Sequence, residues 1–172
     1  MLKDNFNRII NYLRVSVTDR CNLRCRYCNE NAFFIPHEEV LRYEEIIRFV
    51  RIGASLGVRK VRLTGGEPLR RRDLPFLLEN INAIDSIEDI SLTTNGVELA
   101  DALDELRASG LKRVNISLDS LKPERFAYIT GFDVFDRVMK SIEKATAAGL
   151  YPVKINTVII KGFNDDEVLA FA

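Results

Sequence analysis

A chain of 172 residues, 47% hydrophobic and 29% charged, can bury one sizeable core and is too apolar to stay disordered. Lys plus Arg and Asp plus Glu balance at 25 each, which removes bulk attraction to nucleic acid or an anionic membrane and leaves only local basic sites. The opening MLKDNFNRII is not a charged start before a signal-length apolar run, and no apolar stretch approaches a membrane span, so a cytoplasmic protein with neither nucleic-acid nor membrane partner is expected.

From Asn11 the chain alternates strand-like and helix-like segments. YLRVSVT, from Tyr12, reads as a strand with β-branched residues on alternate positions, and the loop after it holds every cysteine. RYEEIIRFVRIGASLG has the apolar spacing of a helix closed by Gly57. VRKVRLT reads as a second strand ending in GGEP, and DLPFLLENINAI as a helix with Asp73 as N-cap and Pro75 in its first turn. IEDISLTTNG predicts a third strand, ELADALDELRASG a helix, and KRVNISLDS a fourth strand. VFDRVMKSIEKATAAG predicts a helix, YPVKINTVII a fifth strand, and DDEVLAFA the opening of another helix.

These alternations, with short links and no low-complexity tract, predict a single α/β domain over 1–172, built on a parallel sheet of right-handed crossover units. A closed barrel of eight units needs roughly 250 residues, so an open or partial barrel, or a doubly wound sheet, is expected. The cysteine loop, TGGEP, TTNG and SLDS all fall just after strands, at the carboxyl ends where parallel α/β folds keep their active sites.

Cys21, Cys25 and Cys28 are spaced C-x3-C-x2-C. An odd number of cysteines in so short a segment is a poor disulfide framework. The spacing gathers three thiolates around one small centre, as in loops that ligate iron-sulfur clusters. A cubane has four irons, so three cysteines leave one iron without a protein ligand. Two other readings stay open. Structural cysteines would sit in a core, whereas Asp19, Arg20, Arg24 and Arg26 make this loop polar. A zinc site could take the only histidine, His37, as fourth ligand, although zinc knuckles usually come as paired C-x2-C units; His37 also reads as a solvated loop residue.

CNLRCRYC, with an aromatic residue directly before the third cysteine, resembles the signature of the radical S-adenosylmethionine family, and LTGGEP follows the next strand where that family has its glycine-rich element. The resemblance implies that the three cysteines hold a [4Fe-4S] cluster whose open iron is chelated by the amino and carboxylate groups of S-adenosylmethionine. Reduction then cleaves the sulfonium to methionine and a 5'-deoxyadenosyl radical. YLRVSVTDRCNLRCRYC, VRLTGGEPLRRRDL, SLTTNG, VNISLDSL and VKINTVIIKGFND, in this order and over nearly the whole chain, further resemble the GTP 3',8-cyclases of molybdenum cofactor biosynthesis. These lyases use the radical to take hydrogen from the ribose of GTP and join the sugar to the purine.

The resemblance implies a partial parallel (β/α) barrel of about five units, with the sixth unit and the C-terminal region missing. It assigns Tyr27, Gly66 and Ser117 to S-adenosylmethionine, and Arg14, Arg62, Thr93 and Lys154 to GTP. The three cations share a feature of their own: each sits on a predicted strand among apolar neighbours, where a charge is costly unless paired or facing a cavity. A triphosphate would satisfy them, and so would carboxylates; an arginine fork suits phosphate oxygens. RRRD, from Arg70 to Asp73, reads as a solvated helix start. An electron donor is implied as partner, and a homodimer is compatible with the pattern.

The chain departs from the cyclase pattern in two ways. The family carries a second three-cysteine cluster, which needs six cysteines where this chain has three, and it usually continues after the third cysteine with Met-Pro where Asn29 and Glu30 stand. Besides the amino-terminal portion of a cyclase, the sequence admits a compact radical enzyme with another substrate, against which Arg14, Arg62 and Lys154 speak, or a non-catalytic iron-sulfur module.

Overall fold

Polar and apolar residues alternate along most strands of this protein, and that alternation decides what its sheet can do. The computed structural model describes residues 2–28 and 35–172. Five strands, β1 (Tyr12–Ser16), β2 (Lys60–Thr64), β3 (Asp89–Thr94), β4 (Arg113–Ser117) and β5 (Lys154–Asn156), form one parallel sheet in sequential order. Each crossover carries helix: α1 (Tyr43–Ser55), α2 (Leu74–Asn82) and α3 (Leu99–Ala108) in turn, then α4 (Pro123–Thr130) and α5 (Phe135–Ala147) together between β4 and β5. A short α6 (Val168–Phe171) follows β5. The strand order never reverses, so the sheet has no switch point of the doubly wound kind and forms the arc of a partial barrel.

Successive side chains of a strand point to opposite faces. Val15, Val61, Leu63, Ile90, Leu92, Val114 and Ile116 fall on one face and are buried with Ile46, Val50, Leu77, Ile81, Leu103 and Val138 of the helices. Each such side chain contributes roughly 1.5–3 kcal/mol of burial. The other face is polar. Register aligns Arg14, Arg62, Ser91 and Arg113 in one row across four strands, and Thr93, Asn115 and Lys154 in the next. Closed eight-unit barrels fill that interior with branched apolar side chains; this one keeps a polar concave surface.

The helix α4 has no counterpart among the expected elements. It is framed by Pro123 in its first turn and Gly131 at φ +79°, the usual brackets of a short helix. Asp73 does stand at the N-cap of α2, but in a left-handed conformation at φ 56° and without a side-chain capping bond. The fifth strand is shorter than expected: only Lys154–Asn156 pairs with β4. Among the described residues, no helix is long and apolar enough to cross a membrane.

Candidate functional site

Two strand ends running side by side create the cysteine loop. Beyond β1, the Val17 N–H donates to Thr64 O at 2.8 Å; then Gly66 donates to Thr18 O and Glu67 to Arg20 O, both at 2.7 Å. A Cβ on Gly66 would lie 2.4 Å from Arg20 O and 2.6 Å from Asp19 O, and one on Gly65 would lie 2.2 Å from Thr18 O. The glycine pair is therefore required first by the chain itself, whatever ligand it also meets.

The far side of the loop closes the end of α4. The last carbonyls of a helix lack intrahelical partners, and here Thr130 O accepts from Arg24 N at 3.0 Å, Ile129 O from Arg26 N at 2.9 Å and Tyr128 O from Arg26 Nε at 2.8 Å. The Arg26 guanidinium also stacks 4.0 Å from the centre of the Tyr128 ring. Arg71 fixes the base of the loop, donating to Val17 O at 2.6 Å and Leu41 O at 2.7 Å while lying 4.1 Å from the Tyr43 ring centre. This corrects the reading of RRRD as a solvated helix start: Arg70 and Arg72 are exposed, but Arg71 is a half-buried clamp.

Within this frame a cavity of about 190 Å³ opens at the carboxyl ends of the strands. Cys21, Cys25, Cys28, Tyr27, Gly66, Thr93 and Ser117 all line it, so seven residues nominated from four separate blocks meet in one place. The three cysteines are free thiols. Among the described residues, no three His, Cys, Asp or Glu side chains converge as ligands of a single metal ion. The zinc alternative depends on His37 as fourth ligand, and it falls outside what the described residues address. The His37 side chain, Asn29 and Glu30 lie outside the described residues.

Burial pushes the Cys25 thiol up to about 12, and the nearby Cys28 and Asp119 charges add to this. Without positive charge in the cavity Cys25 stays protonated; a bound metal centre supplies the charge that lets such a thiol ionise. Burial, together with a 2.7 Å bond from its hydroxyl to Asp119 Oδ2, likewise holds the Tyr27 phenol well above its usual range. Asp119 Oδ1 accepts from the Val158 N–H at 2.8 Å, so one buried carboxylate ties the cysteine loop to the segment after β5.

Arg14, Arg62 and Lys154 do not line this cavity. They lie on the same polar face, the row holding Arg14 and Arg62 being one same-face step, about 6.6 Å, below the row in which Thr93 and Lys154 align. Arg62 Nε reaches Ser91 Oγ at 3.4 Å and its guanidinium lies 5.4 Å from the Tyr12 ring centre. Among the described residues none of the three cations pairs with a carboxylate, whereas Arg113, in the row of Arg62, is bound to Asp89. Thr93 joins the two regions, since it lines the cavity and shares its row with Lys154.

Sequence reasoning missed Glu67, Asn95 and Asp119. Each belongs to a quoted block, GGEP, TTNG or SLDS, from which only one neighbour was singled out. A polar residue placed just after a strand, at the active rim, was the available signal.

Residues 15–172 match the Radical SAM superfamily. This chain belongs to the radical SAM superfamily. Among its relatives, the GTP 3',8-cyclase of Thermodesulfovibrio yellowstonii is 51% identical over 174 residues, 99% of this chain and 54% of that protein. The GTP 3',8-cyclase of Clostridium botulinum is 54% identical over 167 residues, 96% of this chain and 52% of that protein. The chain thus spans about half the length of the curated relatives it matches. The fold recurs in Streptococcus suis SuiB bound to S-adenosylmethionine, with a TM-score of 0.66 at 23% identity over 86% of this chain and 31% of that one. It recurs also in HydG, a maturase of the [FeFe]-hydrogenase, with a TM-score of 0.70 at 16% identity over 86% of this chain and 34% of that one. Membership of the radical SAM superfamily implies a [4Fe-4S] cluster and S-adenosylmethionine, and a cavity ringed by three thiols beside a glycine-lined strand end fits that pair.

Proposed function

We propose that this chain is the cluster-bearing barrel portion of a GTP 3',8-cyclase. The observation that carries the reading is the pairing of two features on one concave face: a cavity ringed by three free thiols, and cations next to it that no carboxylate among the described residues neutralises. Cys21, Cys25 and Cys28 would hold three irons of a [4Fe-4S] cluster and leave the fourth for S-adenosylmethionine. When bound, that pair supplies a 5'-deoxyadenosyl radical able to take a hydrogen atom from the GTP ribose. Tyr27, Gly66 and Ser117 border the cavity and would hold the cofactor against the thiols. Arg14, Arg62 and Lys154 would receive the triphosphate, with Thr93 between the two ligands. An external electron donor would reduce the cluster. The polar face has a simple rationale here, because a row of apolar residues could not compensate the cost of desolvating a triphosphate.

The test is electron paramagnetic resonance of the anaerobically reconstituted, reduced protein with and without S-adenosylmethionine. A [4Fe-4S] signal that shifts on adding the cofactor is expected, with Cys25→Ser abolishing iron and sulfide uptake. Full iron and sulfide retention in Cys25→Ser would reject the ligand assignment. A signal indifferent to S-adenosylmethionine would reject the cofactor role of the cavity.

A further inference from the structure

Asn95, just beyond β3, is held on three sides. Its main-chain N–H donates to Glu67 Oε2 at 2.6 Å, its Oδ1 accepts from the Val97 N–H at 3.0 Å, and its Nδ2 donates to Asn22 Oδ1 at 2.7 Å. The bond from Val97 fixes which end of the amide is oxygen, so the Nδ2 protons face the cysteine loop. Asn22 takes one of them. Nδ2 also lies 3.8 Å from Cys21 Sγ, and the Leu23 N–H reaches the same sulfur at 3.4 Å.

We propose that Asn95 is a positioning residue for the Cys21 thiolate: its amide N–H donates to Cys21 Sγ and raises the reduction potential of the iron-sulfur cluster that Cys21 helps to hold. The inference rests on the cluster reading above. Hydrogen bonds to the ligating sulfurs are one of the levers by which a protein sets a cluster's potential. An added electron increases the negative charge carried by the sulfurs, so a fixed N–H dipole stabilises the reduced state more than the oxidised one. Asn95 is suited to this because Glu67 holds its backbone and the Val97 N–H holds its amide oxygen, so no reorganisation is needed when the electron arrives. Glu67, fully buried, acts through Asn95: it anchors the backbone on which the amide stands.

The wild type and the variants Asn95→Ala, Asn95→Asp and Asn22→Ala are reconstituted anaerobically, assayed for iron and sulfide, and titrated electrochemically with the reduced signal followed by paramagnetic resonance. At a fixed applied potential Asn95→Ala should lower the ratio of reduced to oxidised cluster roughly three- to tenfold, tenfold being 59 mV for one electron. Asn95→Asp, which turns an acceptor toward the sulfur, should lower it at least as far. Asn22→Ala keeps the Asn95 donor and should leave the ratio unchanged. Equal shifts in Asn95→Ala and Asn22→Ala would mean that the amide only props the loop, and an unshifted ratio in Asn95→Ala at full iron content would equally overturn the proposal. If neither Asn95 variant retains iron, Asn22→Ala protein labelled with 15N at the asparagine side chains decides. A nitrogen coupling to the reduced cluster is expected there, and its absence overturns the proposal. A wild type that takes up no iron or sulfide would instead defeat the cluster reading itself.

Discussion

Glu67, in the turn after β2, reaches the main-chain N–H of Asn95 after β3 at 2.6 Å. The same carboxylate accepts from the Leu69 N–H at 3.1 Å and from Thr94 Oγ1 at 2.8 Å, and it is wholly buried. Burial pushes its pKa up, while the two N–H donors pull it back. Three donors converge on one acceptor group, and this is how the chain locks two adjacent strand ends beneath the cavity.

An amide cannot repeat that arrangement. In Glu67→Gln the new NH2 must face a backbone N–H in either orientation, leaving at least one buried donor without an acceptor at a cost of about 1–3 kcal/mol. Urea unfolding followed by circular dichroism should show a lower midpoint for Glu67→Gln. An unchanged midpoint would mean that the Glu67 network adds nothing to stability.

The glycines beside it predict a separable effect. Gly66 has no left-handed backbone requirement, so its intolerance is steric: a Cβ would meet two backbone oxygens that cannot rotate away. Gly66→Ala should cost at least about 1–3 kcal/mol and also displace Cys21, lowering iron uptake on reconstitution. Gly149 is the control, since at φ +74° nothing lies within 4 Å of an added Cβ. Gly149→Ala should carry only the strain of a left-handed residue, about 1–2 kcal/mol, with normal iron uptake. Equal iron uptake in the two variants would count against the role given to Gly66.

Much of this was legible in the sequence. All five strands, the last of them shorter than expected, and five of the helices showed through their periods because apolar residues mark every second position or one helical stripe. The cysteine, glycine and serine positions that meet in the cavity follow from the rule that loops after parallel strands share a rim. What stayed hidden depends on partners distant in sequence: Asn95 and Cys21 are 74 positions apart, Tyr27 and Asp119 are 92. The helix α4, PERFAYIT, is rich in aromatic and β-branched residues with middling helix propensity, and the cysteine loop closes its end. Arg14, Arg62 and Lys154 looked like charges stranded in apolar runs. The sheet resolves this for Arg14 and Arg62, which occupy the polar phase of strands whose other phase packs into the core, whereas Lys154 stands on β5, which is exposed along its length.

The C-terminal segment should be sensitive to acid. Arg125 of α4 bonds Asp166 at 2.5 Å and Glu167 at 2.7 Å, while Lys122 reaches Asp166 at 3.0 Å. The bond from Arg125, then that from Lys122, holds the Asp166 carboxyl down at about 2. Burial works to raise Glu167, but Arg125, the Leu121 N–H and Ser120 outweigh it and keep this carboxyl low as well. Carboxyls with depressed pKa values stabilise the fold above their unfolded values, near 4, and that contribution fades as pH falls toward about 2 for Asp166. The difference in urea midpoint between wild type and Arg125→Met should therefore be steady at neutral pH and shrink below about pH 4. A difference that grew on acidification would have the wrong sign for this network.

The concave face makes the last prediction, and Arg113 supplies its control. Lys154 and Arg113 both project from the polar phase of the sheet, yet Arg113 is already bound to Asp89 while Lys154 has no carboxylate partner among the described residues. If the face receives a triphosphate, Lys154→Ala should weaken GTP binding roughly tenfold, the scale of one charge-assisted hydrogen bond. S-adenosylmethionine affinity should stay unchanged, because Lys154 does not line the cysteine cavity. Arg113→Met should alter GTP affinity far less, and added salt should narrow the gap between wild type and Lys154→Ala as the ionic contribution is screened. Calorimetry on the reconstituted protein reads all of these. Loss of S-adenosylmethionine binding with intact GTP binding in Lys154→Ala would reverse the assignment of the two ligands to this face.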